Sequence, residues 1–289
     1  MTELLTAAQM RAIEQAAIDR GEVTGLELME RAGQGVVDAI FAEWPELGEK
    51  NQRGPGNNGG DGFVVARLLK MWGWEVEVFL YGDPSKLPAD AKKNHDRWSE
   101  IGKVSPLLSG SLTAAIDREM ECADYVYSAE LGNDVNIGAT TIYVDAVFGT
   151  GLMRKFDDIL LEISREWTDT CYDRGVAVDI PSGLCSDSGK PVGGNWLFSK
   201  LVVTFEAAKL GHFLPETCYD ISSLKVVPLK IPGVFLPDEL VTRFAAHDLE
   251  LDLTGFFQDG LNKSTLTHKY SHGHALIHSG GVGKGGAAR

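Results

Sequence analysis

The chain has 289 residues, 44% of them hydrophobic, and a formal net charge of -14. That length suits one large domain or one and a half ordinary ones with a full core, while the charge argues against nucleic acid and acidic membrane surfaces as partners. No apolar run is long enough to span a membrane. Cys122, Cys171, Cys185 and Cys218 are scattered without metal-ligand spacing, and Met1–Leu5 shows no basic-then-apolar leader. Reduced thiols, no signal peptide and a cytoplasmic location are therefore expected.

Two helices are predicted first. Thr6-Ala7-Ala8-Gln9 has capping-box form, with Met10, Ile13 and Ala17 along one face and Gly21 at the end. Thr24-Gly25-Leu26-Glu27 is a second capping box. Leu28, Met29, Ala32, Val36, Ile40 and Phe41 continue its stripe to Trp44, where Pro45 is expected to stop it. A glycine-rich loop at 54–62 then opens a helix predicted over 63–72. Its glycines let backbone N–H groups approach a ligand, and the helix N-terminus adds partial positive charge, so an anion such as phosphate is invited. The alternative is a turn with no ligand. Gly48–Arg53 contains no apolar residue, so the buried strand that should precede such a loop is expected to be missing or short.

A strand follows at Val76–Leu80, a polar helix over 88–99, a weak strand near Val104, a helix around 112–122 and a short strand near Tyr125-Val126. Thr140–Asp145 is a clear strand ending in an acid, followed by a helix at about 156–166. Val176–Asp179 is another such strand, Leu201–Phe205 a further one, and Val226–Leu229 reads as an edge strand because of Pro228. Strands alternating with helices imply a three-layer α/β sandwich with a mostly parallel sheet. Ligands in such sheets sit at the carboxyl ends of strands. Loops 54–62, 145–154 and 179–184 leave three such ends, each with glycine and an aspartate.

Asp145 and Asp179 thus share a rim. One reading makes one a cation ligand and the other a general acid or base; the other reading has each capping its following turn. Asn58, Asp145 and Ser182 offer oxygen ligands to a hard, monovalent cation, or form an ordinary hydrogen-bond network. Arg154 and Lys155 could hold a second phosphate. Lys209 either reaches the rim or lies at the surface, and His212 reads as structural.

Leu28–Gly33, Gly54–Gly62, Asp145–Leu152 and Val178–Leu184, in that order, resemble the NAD(P)H-hydrate epimerase family, the N-terminal domain of the bifunctional NAD(P)H-hydrate repair enzyme. The resemblance covers roughly residues 5–232. It implies a Rossmann-like domain, usually homodimeric, with one K+ per subunit, that epimerises NADHX and NADPHX at C6. It also implies roles. Asn57, Asn58, Gly59, Gly60 and Asp61, with Gly149, Thr150, Gly151, Leu152, Met153, Arg154 and Lys155, would bind the substrate. Asn58, Asp145 and Ser182 would hold K+. Asp179 would bind substrate and act as acid or base. The chain departs from the family's habit with Ala207-Ala208 before Lys209, where proline is usual, and in lacking a glycine at 218–223.

Residues 233–289 are expected to be a linker and the start of a second domain. The stretch His274–Arg289 resembles the first strand and glycine loop of the ADP-dependent dehydratase domain. A lone strand cannot bury its faces, so no dehydratase activity is expected. Two other classes of function compete with the epimerase: a non-catalytic nucleotide-binding or interaction domain, and a phosphotransferase needing Mg2+ and ATP.

Overall fold

The computed structural model describes residues 4–48, 61–108, 110–111, 113–114, 125–128, 133–136, 141–151, 155–214 and 223–232. The segment before Gly54, all but residues 113–114 of the helix expected around 112–122, and the whole of 233–289 lie outside the described residues.

Helices α1 (Ala7–Asp19) and α2 (Gly25–Glu43) start where the capping boxes place them. Thr6 N donates to Gln9 Oε1 at 2.8 Å, and Thr24 N to Glu27 Oε2 at 2.7 Å. Each box satisfies donors that a helix start leaves open, worth about 0.5–2 kcal/mol per cap. Pro45 does more than end α2: it opens the short helix α3 (Pro45–Gly48), where its missing N–H costs nothing. Helix α4 (Asp61–Met71) begins two residues earlier than the apolar run suggests, because Asp61 itself is the first helical residue.

Strands β1 (Val78–Leu80) and β2 (Val104–Pro106) pair in parallel, with α5 (Ala89–Ser99) between them. Strands β3 (Tyr125–Ser128) and β4 (Asn133–Asn136) form an antiparallel pair. The main sheet comprises β5 (Tyr143–Asp145), β6 (Gly175–Val178), β7 (Leu201–Phe205) and β8 (Ser223–Val227), all parallel and in that order. Helix α6 (Asp158–Thr170) connects β5 to β6.

Every residue of β6 and β7 is buried, as expected of central strands covered on both faces. Val176, Val178, Leu201, Val203 and Phe205 face a core shared with α1, α2 and α4. On the opposite side α6 supplies Leu160, Ile163 and Trp167, which pack with Phe156, Leu197 and Tyr143. The result is a Rossmann-like three-layer α/β sandwich. Strand β8 is half-buried at the edge, and Pro228 follows it without breaking a ladder bond.

Two glycines set how closely α2 lies on its neighbours. A Cβ on Gly35 would stand 2.3 Å from Val227 Cγ1, and one on Gly33 would stand 2.4 Å from Val64 Cβ. Gly33→Ala is therefore expected to push α2 off α4 and to cost about 1–3 kcal/mol, measured by urea unfolding.

Candidate functional site

The carboxyl ends of β5, β6 and β7 meet at one rim. Asp145 is the last residue of β5 and is 1% exposed. Its Oδ2 accepts from Ser182 N at 2.7 Å, and its Oδ1 from Ser182 Oγ at 2.6 Å and Val147 N at 3.2 Å. Phe148 N donates in turn to Ser182 Oγ at 2.8 Å. These bonds tie the loop after β5 to the loop after β6. Burial pushes the Asp145 carboxyl up to about 6, against the lowering effect of its hydrogen bonds to Ser182 and Val147. Among the described residues no cation pairs with this carboxylate. The buried Asp145 carboxylate and the Ser182 hydroxyl bonded to it are hard oxygen donors, the type that a monovalent cation takes.

Asp179 follows β6 directly. Its φ is +69°, and Ile180 N donates to Val178 O at 2.9 Å across it. This is the tight three-residue γ-turn geometry, costing about 1–3 kcal/mol for a residue with a side chain. The same turn ends β7, where Glu206 has φ +57° and Ala207 N donates to Phe205 O at 2.6 Å. Glu206 is held there by Leu229 N, which donates to its Oε2 at 2.6 Å. The second turn carries the chain back so that Lys209 enters the rim.

Lys209 is 1% exposed, which settles the choice between rim and surface. Its Nζ donates to Asp179 Oδ1 at 2.7 Å, to Thr204 Oγ1 at 2.8 Å and to Phe205 O at 3.2 Å. Thr204 Oγ1 also donates to Asp179 Oδ1 at 2.8 Å. Asp179 Oδ1 is thus fully engaged. Oδ2 faces the loop after β5: it would lie 3.9 Å from a Cβ on Gly149. Gly149 thus lies beside Oδ2, the Asp179 oxygen that takes no hydrogen bond among the described residues.

His212 supports this arrangement from behind. Lys209 N donates to its Nδ1 at 3.0 Å, which fixes the proton on Nε2, and Nε2 donates to the Asp179 carbonyl at 2.9 Å. Burial is the main force holding its pKa down, to about 4 from 6.5. The folded state keeps it neutral while the unfolded state takes up a proton, so its contribution to stability is full above pH 6.5 and is lost as pH falls toward 4, about 3 kcal/mol in all. Asp61 acts with the opposite sign, because a carboxyl with a raised pKa is relieved as pH falls. The test is therefore a difference: the advantage of the native chain over His212→Asn should shrink by that amount across this window in denaturant titrations.

Asp61 opens α4 at the same rim. A Cβ on its neighbour Gly62 would stand 2.9 Å from Ala146 Cβ, so the first turn of α4 lies against the loop after β5. Burial, then the charges of Asp179 and Glu14, push the half-buried Asp61 up to about 7. The helix N-terminus favours the ionised form by only about 0.3–1 kcal/mol, too little to reverse this. Glu14, on α1, is raised chiefly by burial, with Lys209 acting against it. Helix α1 is fastened to the rim, since Ala7 N donates to Asp187 Oδ1 at 2.8 Å and Leu5 N to Ala208 O at 3.1 Å.

Of the expected site residues, Asp61, Asp145, Gly149, Asp179 and Ser182 come together. Thr150 and Gly151 continue the same loop, and the exposed Lys155 stands over Gly193. Asn57, Asn58, Gly59, Gly60, Leu152, Met153 and Arg154 lie outside the described residues. Thr204 and Glu14 were not expected. Each carried a signal: Thr204 is a hydroxyl inside the apolar run Leu201–Phe205, and Glu14 sits four residues after Met10 on the buried stripe of α1.

Among the described residues no helix is long and apolar enough to cross a membrane. The family described as YjeF-related protein N-terminus matches residues 25–211. A protein of Roseobacter litoralis named NAD(P)H-hydrate epimerase is 42% identical over 220 residues, 73% of this chain and 92% of the relative. Another of that name from Rhodobacter capsulatus is 41% identical over 225 residues, with 73% and 92% covered. The bifunctional NAD(P)H-hydrate repair enzyme of Vibrio cholerae is 32% identical across 99% of this chain, which spans 52% of that relative. The crystal structure of yeast ynu0 has a TM-score of 0.57 at 23% identity, over 82% of this chain and 91% of that one, a likeness of fold. Matched over most of its length by the family and by relatives it nearly spans, the chain belongs to the family of YjeF-related protein N-termini.

Proposed function

We propose that this chain is an isomerase, an NAD(P)H-hydrate epimerase that interconverts the R and S forms of NADHX and NADPHX at C6, and that residues 1–232 carry the activity. The observation that carries this reading is Asp179. It is held in a left-handed turn, anchored through Oδ1 by Lys209 and Thr204, and open at Oδ2 toward the glycine loop after β5. Epimerisation requires the C6 hydroxyl to leave and return, with a positive charge developing on the ring between the two steps. A fixed carboxylate stabilises that charge and handles the proton. The nucleotide phosphates would lie along residues 57–61 and 149–155, whose glycines would let backbone N–H groups approach them.

Asp145 and Ser182, with Asn58, would hold K+. The ion would supply a fixed positive charge beside the substrate's phosphates. The enzyme is taken to act in the cytoplasm as a homodimer.

The experiment is chromatographic interconversion of the resolved epimers in K+ buffer, repeated with K+ replaced by a large organic cation. Conversion well above the spontaneous rate, weakened without K+ together with a lower melting temperature, supports the reading. Conversion at the spontaneous rate by folded protein, with unchanged binding of the epimers, supports a nucleotide-binding domain without turnover.

A further inference from the structure

Two left-handed residues close neighbouring strand ends at the rim, Asp179 after β6 and Glu206 after β7. Such turns persist only where their surroundings hold them. The Glu206 turn is pinned by its own side chain, whose Oε2 accepts from Leu229 N at 2.6 Å. The Asp179 side chain is spent elsewhere, since its Oδ1 accepts from Lys209 and Thr204. Its turn is held by the peptide plane that follows it. At one end of that plane Ile180 N donates to Val178 O at 2.9 Å; at the other the Asp179 carbonyl accepts from His212 Nε2 at 2.9 Å. A plane bonded at both ends cannot rotate, and the direction of the Asp179 side chain is fixed with it. The same ring holds the other member of the ion pair. Nδ1 accepts from Lys209 N at 3.0 Å, a bond that only the neutral ring with its proton on Nε2 can make. The turn Leu210–His212 that carries the ring is itself seated on the loop after β6. Gly211 N donates to Ser186 O at 2.6 Å, and a Cβ on Gly211 would stand 2.6 Å from that oxygen.

Resting on the epimerase reading, we propose that His212 is a positioning residue for the reaction: by holding the Asp179 carbonyl it aims Oδ2 at the C6 hydroxyl. His212 is 2% exposed, so it acts through Asp179 and not on the substrate. Its two bonds divide the work. The bond from Lys209 N fixes the start of the turn 210–212 and serves the fold; the bond to the Asp179 carbonyl serves the chemistry. Without the second bond the peptide plane can turn toward an ordinary φ, and Oδ2 swings about Oδ1, which stays tied to Lys209 and Thr204. A displacement of about 1 Å can cost about 10²-fold in rate. The loss falls on kcat, because Oδ2 meets the reacting carbon and not the phosphates.

The test measures kcat, KM and melting temperature for the native chain, His212→Gln, His212→Asn and His212→Phe. The amide nitrogen of glutamine can take the place of Nε2 and donate to the Asp179 carbonyl. The amide oxygen of asparagine can take the place of Nδ1 and accept from Lys209 N, but its side chain is too short to reach that carbonyl. Phenylalanine makes neither bond. Per folded molecule, His212→Asn and His212→Phe should lose about 10–100-fold in kcat with little change in KM, and His212→Gln should recover most of it. In the native chain the Nε2–H proton of His212 should be visible by NMR and should shift when the epimers bind, because a load on Oδ2 is carried to the same peptide plane. This arm decides the matter even if the variants do not fold. Melting temperatures that fall while kcat per folded molecule stays native in all three variants, equal kcat losses in His212→Gln and His212→Asn, or a His212 proton unmoved at saturating epimer overturns the positioning role and leaves the epimerase standing. Absence of native conversion overturns both.

Discussion

Asp179→Asn is expected to slow epimer interconversion about 10²–10⁴-fold while leaving the fold in place. Asparagine tolerates the left-handed φ of +69° better than other residues with a side chain. Its amide oxygen can still accept from Thr204 and Lys209, so the turn after β6 should persist. What it lacks is the negative charge and the capacity to take up a proton at the position facing Gly149. Circular dichroism and the melting temperature check the first half of this expectation, and single-turnover chromatography checks the second. Asp179→Ala is a poorer probe, because it adds backbone strain and leaves Lys209 buried without a counter-charge.

Lys209→Met should have the largest effect on stability. Lys209 is 1% exposed and the Asp179 side chain 17%, so methionine would leave a largely buried carboxylate unpaired. Removing one partner of a buried pair costs about 3–5 kcal/mol, or roughly 10 °C in melting temperature for a domain of this size. The cost belongs to the orphaned charge rather than to lost packing, since methionine fills much of the same volume. Combining Lys209→Met with Asp179→Asn should therefore recover part of the loss, and a double-mutant cycle by urea unfolding measures it. Strict additivity of the two changes would show that the ion pair is not what holds the rim.

Much of this fold was legible because local signals agreed with global ones. Thr6 and Thr24 marked helix starts through hydrogen bonds made within four residues. The apolar runs at 176–178 and 201–205 marked central strands because both faces of the sheet are covered. The convergence of Asp145, Asp179 and Ser182 followed from the rule that parallel strands open their loops on one side.

The failures have physical reasons too. Asn133–Asn136 pairs with Tyr125–Ser128 in the backbone register of an antiparallel pair, and the sequence Asn-Asp-Val-Asn has no apolar alternation to announce a strand. Lys209 looked like a surface lysine as readily as a buried one. Its placement depends on the left-handed turn at Glu206 and on Leu229 N beyond β8, partners far apart in the chain. Gly33 was visible as part of a motif, but its reason, the approach of Val64 on α4, belongs to packing.

The most direct measurement follows the R epimer of NADHX to the S epimer in K+ buffer, with the purified chain and with Asp179→Asn beside it. The account predicts conversion far above the spontaneous rate for the native chain, and near that rate for the variant when both are folded. Native conversion no faster than the spontaneous rate, or equal conversion by the two proteins, would contradict it.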